Sequence, residues 1–281
     1  MRCRVGLLQM SSGADVAANL AFIAAQAERA AADDVDCLCL PENAMAMGGA
    51  GALTWAAQAP GFLAALQDLA RVHGLWLLAG TLPWAWRPDG TACAPGKLRA
   101  ASFVIDAQGQ IRARYDKIHL FDVVVADACG SYHESEHMEA GDGLGWVDTP
   151  WGRWGLSVCY DLRFAELFSA LLKQGIDAIV VPAAFTRLTG AAHWQVLLRA
   201  RAIESQVMVL AAAQTGQHDE RRQTYGHSLV VDPWGELLLD AGEAPGLYVV
   251  DMDMGEVARR RHAMPMAQQR RWPVEDFTKR G

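Results

Sequence analysis

The sequence contains no run of about 18 uninterrupted apolar residues, which is the length that a membrane-spanning helix needs. It also lacks an excess of positive charge, because 25 lysines and arginines stand against 32 aspartates and glutamates, for a formal net charge of −7. An acidic chain of this kind attracts nucleic acid poorly. We therefore expect neither a membrane nor a nucleic-acid partner.

No secretory signal is visible at the start, MRCRVGLLQMSSGADV, whose short apolar run turns polar without a cleavage-like site. Without such a signal the six cysteines do not predict a disulfide framework. We expect reduced thiols and a cytoplasmic location. Cys37 and Cys39 would fit a CxC metal site, but their alternation along a short apolar run favours two core-facing side chains.

No proline- or serine-rich linker and no short-period repeat divides the 281 residues. Strand-like apolar runs alternate with segments of helical spacing in both halves, which favours one α/β domain with a mixed sheet. We expect this domain to cover residues 1–281, with a C-terminal helix and tail from about residue 255. Residues 122–145 are predicted to be a long irregular loop, and loops of that length in a compact domain tend to be functional.

Residues 151–168 form the stretch around which the rest of the chain is organised. Residues 155–158 are predicted to end a buried strand, and residues 161–167 to form the first turns of a helix, with Cys159 at the corner between them. A helix N-terminus favours negative charge, so we expect this thiol to ionise more readily than a free cysteine. A lone cysteine at such a position is, however, more often a small buried packing residue.

Two alternatives assign Cys159 a different partner or move the chemistry elsewhere. A papain-like pair would use His193 or His227 as the base, although the local sequence does not resemble a papain-type site. Separately, residues 133–137, HESEH, fit the H-E-x-x-H zinc pattern, in which two histidines lie one helical turn apart. That pattern requires a helix, and no apolar face runs through this acidic segment, so we expect no metal.

A third combination consists of Glu42, Lys117 and Cys159, each at or near the carboxyl end of a predicted strand. Such ends meet at one edge of a parallel sheet, where α/β proteins place their ligands. A partly buried carboxylate can take the thiol proton, the thiolate can attack, and the ammonium can stabilise an oxyanion, so no cofactor is needed. Spacing alone leaves this open, because glutamates and lysines beside strands are usually solvated.

Three blocks then resemble the signatures of the nitrilase, or carbon–nitrogen hydrolase, superfamily. They are residues 40–43 (LPEN), residues 115–122 (YDKIHLFD) and residues 158–167 (VCYDLRFAEL), in the order that the family has them. The resemblance covers nearly the whole chain. It implies a four-layer α-β-β-α sandwich with mixed sheets, paired into an αββα–αββα homodimer or a higher homo-oligomer.

The resemblance also implies a role for each matching residue. Glu42 corresponds to the general base, Lys117 to the oxyanion-stabilising lysine and Cys159 to the nucleophile. Glu134, in the context Tyr-His-Glu-Ser, corresponds to a second glutamate that holds Lys117 and the substrate in place. The implied chemistry uses no metal and no cofactor.

Within the superfamily, four further segments resemble deaminated glutathione amidases and the related ω-amidases. These are residues 189–194 (TGAAHW), 197–204 (LLRARAIE), 211–214 (AAAQ) and 225–228 (YGHS), and together they favour the deaminated glutathione branch. The resemblance implies an amidohydrolase that cleaves the terminal amide of a small carboxylate-bearing substrate through a thioester and releases a carboxylic acid.

Substrate-binding residues are expected one helical turn beyond the cysteine and at the start of the later helix. Arg163 could clamp a substrate carboxylate bidentately, or it could be a surface arginine paired with Glu166. Tyr160, Phe185 and Thr189 are candidates for the pocket wall, or for plain packing.

Rival functions remain within and outside this enzyme class. ω-Amidase action on 2-oxoglutaramate-type acids, N-carbamoyl amide hydrolysis and nitrile hydrolysis share the same catalytic set. A silent binding or scaffold protein with the same fold is the non-enzymatic alternative, against which the intact Glu42, Lys117, Glu134 and Cys159 argue.

Overall fold

The computed structural model describes residues 1–48 and 51–271. The strands are β1 (Arg2–Gln9), β2 (Cys37–Cys39), β3 (Trp76–Leu78), β4 (Leu82–Trp84), β5 (Arg99–Ile105), β6 (Ile111–Asp116), β7 (Asp122–Val124), β8 (Ser131–His133), β9 (Gly145–Thr149), β10 (Gly152–Leu156), β11 (Ala178–Val180), β12 (Met208–Ala211), β13 (Thr215–Gln217), β14 (Gln223–Tyr225), β15 (Leu229–Val231), β16 (Leu237–Asp240) and β17 (Gly246–Asp253). The helices are α1 (Val16–Ala32), α2 (Ala52–Trp55), α3 (Ala59–His73), α4 (Ala165–Leu172), α5 (Arg187–Ser205), α6 (Gly255–Ala263) and α7 (Met266–Gln269), with 3-10 helices at Glu134–Glu136 and Cys159–Arg163.

The described strands form two mixed sheets and two small ribbons. In the first sheet the order is β17-β1-β2-β3-β5-β4, with β6 also paired to β5, and in the second it is β16-β15-β12-β11-β10-β9. Parallel pairs lie at the centre of each sheet, β1-β2-β3 in one and β10-β11-β12 in the other, and antiparallel strands flank them. The predicted α/β class with mixed sheets is confirmed.

Strand β2 shows how the first sheet is buried on both faces. Cys37 and Cys39 belong to an apolar cluster that also contains the second sheet and helices α4 and α5. Leu38, between them, belongs to a separate cluster with helices α1 and α3. Successive side chains of a strand point to opposite faces, so a short strand that is apolar throughout must have packing partners on both sides. The expectation that both cysteines face the core is confirmed.

The prediction of an irregular loop over residues 122–145 is wrong in part. Strands β7 and β8 pair as an antiparallel ribbon, in which Val123 faces Tyr132, and a 3-10 turn follows directly. The Asp127 carboxylate accepts the backbone N–H groups of Cys129 and Gly130 and so closes the turn between the strands. Strands of three residues are too short to show a period of two in sequence, which is why the pattern did not reveal them.

The C-terminal helix predicted from about residue 255 is present as α6, and α7 follows it. Residues 272–281 of the predicted tail lie outside the described residues. Among the residues that are described, no helix combines the length and apolar character needed to cross a membrane. The single-domain boundary at residues 1–281 stays a prediction.

Candidate active site

Glu42 follows the carboxyl end of β2 and is nearly inaccessible, with 4% of its surface exposed. The segment before it presses against Gly80, where a Cβ atom would lie only 1.9 Å from the Pro41 carbonyl oxygen. Beyond it, the Asn43 N–H donates to the Thr81 hydroxyl at 2.9 Å. Gly80 also has φ = +64°, a conformation that disfavours any side chain. This close backbone approach sets the position of the carboxylate.

Lys117 follows β6 and is 2% exposed. Its ammonium lies 2.8 Å from Glu42 Oε1 and 3.1 and 2.9 Å from the two carboxylate oxygens of Glu134. Burial by itself would lower the pKa of Lys117, but the charges of Glu134 and Glu42 outweigh it and raise the pKa well above its usual range. Lys117 is therefore a permanent cation held between two carboxylates.

Glu134 opens the 3-10 turn after β8, and one of its oxygens also accepts the Phe121 N–H at 2.7 Å. The H-E-x-x-H segment therefore does not form the α-helix that its zinc pattern requires. Its glutamate is engaged with Lys117, and no group of three or more histidine, cysteine or acidic side chains in the described residues is arranged to hold a metal ion.

Cys159 begins a 3-10 helix, and α4 starts only at Ala165 after the extended Phe164. The predicted continuous helix over residues 161–167 is thus wrong in its first half. Cys159 itself has φ = +47°, a left-handed conformation that is rare for a non-glycine residue and costs on the order of 1–3 kcal/mol. Its N–H is held by the Pro182 carbonyl oxygen at 3.0 Å.

The expectation that the Cys159 thiol ionises more readily than a free cysteine is wrong. Burial raises its pKa well above the usual range, and the charge of Glu42 and a hydrogen bond with that carboxylate raise it further. Lys117 and the Ala184 N–H lower the pKa, but by less. The α-helix that would have favoured a thiolate begins too late to offset this burial. The raised pKa favours the neutral thiol, and Glu42 is the carboxylate that hydrogen-bonds with it.

Asp161, fully buried two residues after the cysteine, holds this turn in place. Its carboxylate accepts the Tyr115 hydroxyl at 2.7 Å, the Val158 N–H at 2.9 Å and the His119 N–H at 3.0 Å. The His119 Nδ1 atom lies 2.7 Å from the same carboxylate. Sequence reasoning missed this residue, because nothing in the spacing shows that a helix-start aspartate reaches another sheet.

A cavity of about 340 Å³ contains the predicted catalytic set on its wall. Glu42, Lys117, Glu134 and Cys159 come from four separate segments of the chain and all line it. Neither His193 nor His227 does so. His227 is paired with Asp240 instead, at 2.8 Å, so the papain-like alternative has no base beside the thiol.

The four predicted substrate-binding residues, Tyr160, Arg163, Phe185 and Thr189, also line the cavity. The Arg163 guanidinium lies over the rings of Phe185 and Tyr160 and contacts the His193 Nδ1 atom at 3.2 Å. Within residues 1–48 and 51–271 no carboxylate forms an ion pair with Arg163, so the alternative of a pair with Glu166 is wrong.

The structure adds a second guanidinium that the sequence analysis did not single out. Arg222, at the tip of the β13–β14 ribbon, lines the same cavity and lies 5.2 Å from the centre of the Tyr132 ring. Its Nε atom is buried without a hydrogen-bond partner among the described residues. No sequence signal marks it, since it lies in a polar hairpin far from the three blocks.

The carbon–nitrogen hydrolase family profile matches residues 4–262. The deaminated glutathione amidase of Yersinia enterocolitica is 40% identical over 271 residues, which are 95% of this chain and 93% of the relative.

Solved structures match over nearly the full length. Saccharomyces cerevisiae Nit3, a member of branch 10 of the nitrilase superfamily, superimposes with a TM-score of 0.82 at 29% identity, covering 96% of this chain and 97% of the other. A glutamate-to-glutamine mutant of the amidase from Nesterenkonia sp. AN1, showing Michael addition of acrylamide at the active-site cysteine, matches with a TM-score of 0.75 at 26% identity, covering 95% and 99%.

Proposed function

The chain belongs to the carbon–nitrogen hydrolase family, and from this premise we propose that it is a cysteine-dependent amidase of deaminated glutathione. It is a hydrolase of carbon–nitrogen bonds other than peptide bonds. Deaminated glutathione is glutathione with an oxo group in place of its amino group. The amide to be cleaved joins the 2-oxo acid to cysteinylglycine.

One observation carries the proposal: the Lys117 ammonium lies between Glu42 and Glu134 on the wall of the cavity that holds Cys159. A neutral thiol, a carboxylate in hydrogen-bond reach of it and a permanent cation are the three groups that acyl transfer needs. In the Nesterenkonia amidase, acrylamide adds to the active-site cysteine, which supports the same nucleophile here.

In the first half-reaction, Glu42 takes the proton of the Cys159 thiol as the sulfur attacks the amide carbonyl carbon. The new C–S bond leaves a negative charge on the carbonyl oxygen, which Lys117 and the Tyr160 backbone N–H stabilise. Glu42 then gives its proton to the amide nitrogen, the C–N bond breaks, and the amine leaves. The acid part stays bound to the sulfur as a thioester.

In the second half-reaction, Glu42 takes a proton from water, and the resulting hydroxide attacks the thioester carbonyl carbon. The C–S bond breaks, Glu42 returns the proton to the sulfur, and a carboxylic acid leaves. Each proton that Glu42 accepts is given back, so the cycle needs neither a metal nor a cofactor. Glu134 keeps the Lys117 ammonium directed at the reacting oxygen.

For the substrate, Arg163 is proposed to hold the 2-oxo-acid carboxylate, with Tyr160, Phe185 and Thr189 around it. A guanidinium without a carboxylate partner, placed over two rings, is suited to bidentate binding of such a group. The cavity of about 340 Å³ is in the range of sites for drug-sized ligands, which favours a tripeptide-sized substrate over the smaller 2-oxoglutaramate.

The architecture that accompanies this function is also part of the proposal. The two sheets with α1 and α3 on one side and α4 and α5 on the other are consistent with a four-layer α-β-β-α sandwich. We expect two copies to pair into an αββα–αββα homodimer in the cytoplasm. Light scattering during size-exclusion chromatography tests the pairing, and a monomer at micromolar concentration would contradict it.

The function is tested by mass spectrometry of the protein during turnover of deaminated glutathione. We expect an acyl adduct on Cys159 that hydroxylamine removes as a hydroxamate, and complete loss of turnover in Cys159→Ala with a normal thermal transition. Cys93→Ala, a partly exposed thiol away from the cavity, is the matched control and should retain activity. Turnover by Cys159→Ala would refute the scheme, and binding without turnover in the wild type would indicate a scaffold protein.

The substrate is tested by measuring kcat/KM for deaminated glutathione, 2-oxoglutaramate, an N-carbamoyl amino acid and an aliphatic nitrile. We expect the first to be hydrolysed with the highest kcat/KM. An equal or reversed preference for 2-oxoglutaramate would replace the assignment by that of an ω-amidase.

A further inference from the structure

The positively charged side chains on the cavity wall differ in whether a carboxylate of the protein pairs with them. Lys117 is already neutralised by two carboxylates, so it cannot bind a carboxylate of the substrate as well. The remaining cations on the cavity wall are Arg163 and Arg222, and neither forms an ion pair with any residue that the structure describes. The site therefore has two unpaired guanidinium groups, which is one more than a substrate with a single carboxylate requires.

The two guanidinium groups stand at the ends of a row of aromatic rings. Arg163 lies over Tyr160, whose ring centre is 5.0 Å from that of Phe121. Phe121 is in turn 5.0 Å from Tyr132, over which Arg222 lies. Glu134, through the Phe121 N–H, connects this row to Lys117. The reacting groups thus lie beside the row, with one guanidinium towards each end.

The Arg222 side chain is held in position, but one of its hydrogen-bond donors has no partner among the described residues. Its contact with the Tyr132 ring is fixed by the Tyr132 hydroxyl, which donates to Asp127 at 2.9 Å. Its Nε atom is buried without a partner, and leaving a buried donor of a charged group unsatisfied is costly unless a ligand completes it.

Asp219 also lines the cavity, but its carboxylate does not pair with the Arg222 guanidinium. One of its oxygens accepts the backbone N–H groups of Arg221 and Arg222 at 2.9 and 2.8 Å, and no ion pair joins it to the Arg222 guanidinium. The carboxylate thus shapes the turn at the tip of the ribbon and leaves the guanidinium available for a ligand.

We infer that Arg222 binds the second carboxylate of the substrate, the one at the glycine end of the leaving dipeptide, and so selects deaminated glutathione over 2-oxoglutaramate. This inference rests on the proposed function. The extended dipeptide spans about 7 Å. Cys159 and Arg222 line the same cavity, so the far end of the leaving dipeptide can meet the Arg222 guanidinium while the amide lies at the thiol. A guanidinium in this position binds the glycine carboxylate, a group that 2-oxoglutaramate does not have.

The test uses Arg222→Met and Arg222→Lys in the full chain, with Arg221→Met, an exposed neighbouring arginine, as the matched control. The substrates are deaminated glutathione, its C-terminal carboxamide and 2-oxoglutaramate. We expect Arg222→Met to lower the ratio of kcat/KM for deaminated glutathione over 2-oxoglutaramate by roughly 10- to 100-fold, mainly through KM, as the loss of a charge-assisted pair predicts. Arg222→Lys should restore part of the ratio, and Arg221→Met should keep it.

The carboxamide should show the same low kcat/KM with the wild type and with Arg222→Met, since the partner of the guanidinium is absent from it. An equal decrease in kcat/KM for all three substrates in Arg222→Met would show that Arg222 only supports the fold of the ribbon. That result would overturn the inference. An unchanged ratio in Arg222→Met would do so as well. If the wild type turned over 2-oxoglutaramate but not deaminated glutathione, the proposed function itself would fail, and the subsite with it.

Discussion

The Tyr115 hydroxyl donates a hydrogen bond of 2.7 Å to the Asp161 carboxylate and so joins the two sheets at the site. Tyr115 lies on β6, two residues before Lys117, whereas Asp161 lies two residues after Cys159. The same carboxylate accepts the N–H of Val158. One buried aspartate, which does not line the cavity, therefore links the segment that carries the cation to the segment that carries the nucleophile.

Replacing Asp161 by asparagine should misplace the nucleophile and destabilise the fold. The Tyr115, Val158 and His119 donors lose a charged acceptor in a fully buried position, so we expect the free energy of unfolding to fall by about 2–4 kcal/mol. The value of kcat should fall at least roughly tenfold, because small displacements of reacting groups are costly. Urea unfolding and steady-state kinetics measure the two effects.

Asp148→Asn is the control, because Asp148 forms an exposed pair with Arg153. Pairs of this kind contribute about 1 kcal/mol or less. A loss of stability in Asp161→Asn no larger than in the control would contradict the positioning role.

Replacing Lys117 by methionine should abolish turnover and leave Glu42 and Glu134 facing each other without a cation. Removing one partner of a buried ion pair lowers the free energy of unfolding by about 3–5 kcal/mol. Chemical denaturation at pH 7 measures this loss. Lys117→Arg keeps the charge and should retain more of the stability than Lys117→Met. Equal stability of all three proteins would mean that the triad of charges does not hold the site together.

The raised pKa of Lys117 also predicts how the free energy of unfolding changes with pH. Its pKa is raised in the folded state, so its contribution is fully present below the unfolded value of 10.5 and is lost as the pH rises towards the folded value. We expect the wild type to lose stability above about pH 10.5 more steeply than Lys117→Met. Thermal unfolding between pH 9 and 11.5 measures the difference, and parallel curves would refute the assignment.

Replacing Glu42 by glutamine should stop amide hydrolysis but make the Cys159 thiol more reactive towards iodoacetamide. The Glu42 charge raises the pKa of the thiol, whereas Lys117 lowers it, so removing the carboxylate increases the thiolate fraction at neutral pH. Peptide mass spectrometry of the alkylated protein at pH 7.5 measures the rate at Cys159 alone. A slower alkylation than in the wild type would show that Glu42 activates the resting thiol directly.

Replacing Gly80 by alanine should displace Glu42 and reduce both stability and activity. A Cβ atom there would lie 1.9 Å from the Pro41 carbonyl oxygen, and the backbone has a positive φ, so the loop before the base must move. We expect a loss of several kcal/mol or failure to fold at 37 °C. Gly61→Ala in α3, where no atom lies within 4 Å of a Cβ, is the control and should be neutral or slightly stabilising. A tolerated Gly80→Ala would contradict the close approach.

Most of the regular elements could be predicted, because each depends on a pattern within a few residues. The strand before Glu42 and the helix from about residue 255 are examples that tertiary contacts did not alter. The ribbon of β7 and β8 and the 3-10 turn at Cys159 were missed. Their conformations depend on side chains such as Asp127 and Asp161 that replace the local backbone hydrogen bonds.

The amino-acid sequence alone determined which groups are available for chemistry: a carboxylate, an ammonium and a thiol at strand ends, within blocks that resemble one hydrolase superfamily. Only the tertiary structure decided their electrostatic state, since it buried the Cys159 thiol beside Glu42 and placed Lys117 between two carboxylates. It also brought Arg222 to the cavity from a hairpin with no signature. The physical reason is that pKa values and ligand contacts depend on burial and on neighbours far apart in the chain, which no local pattern encodes.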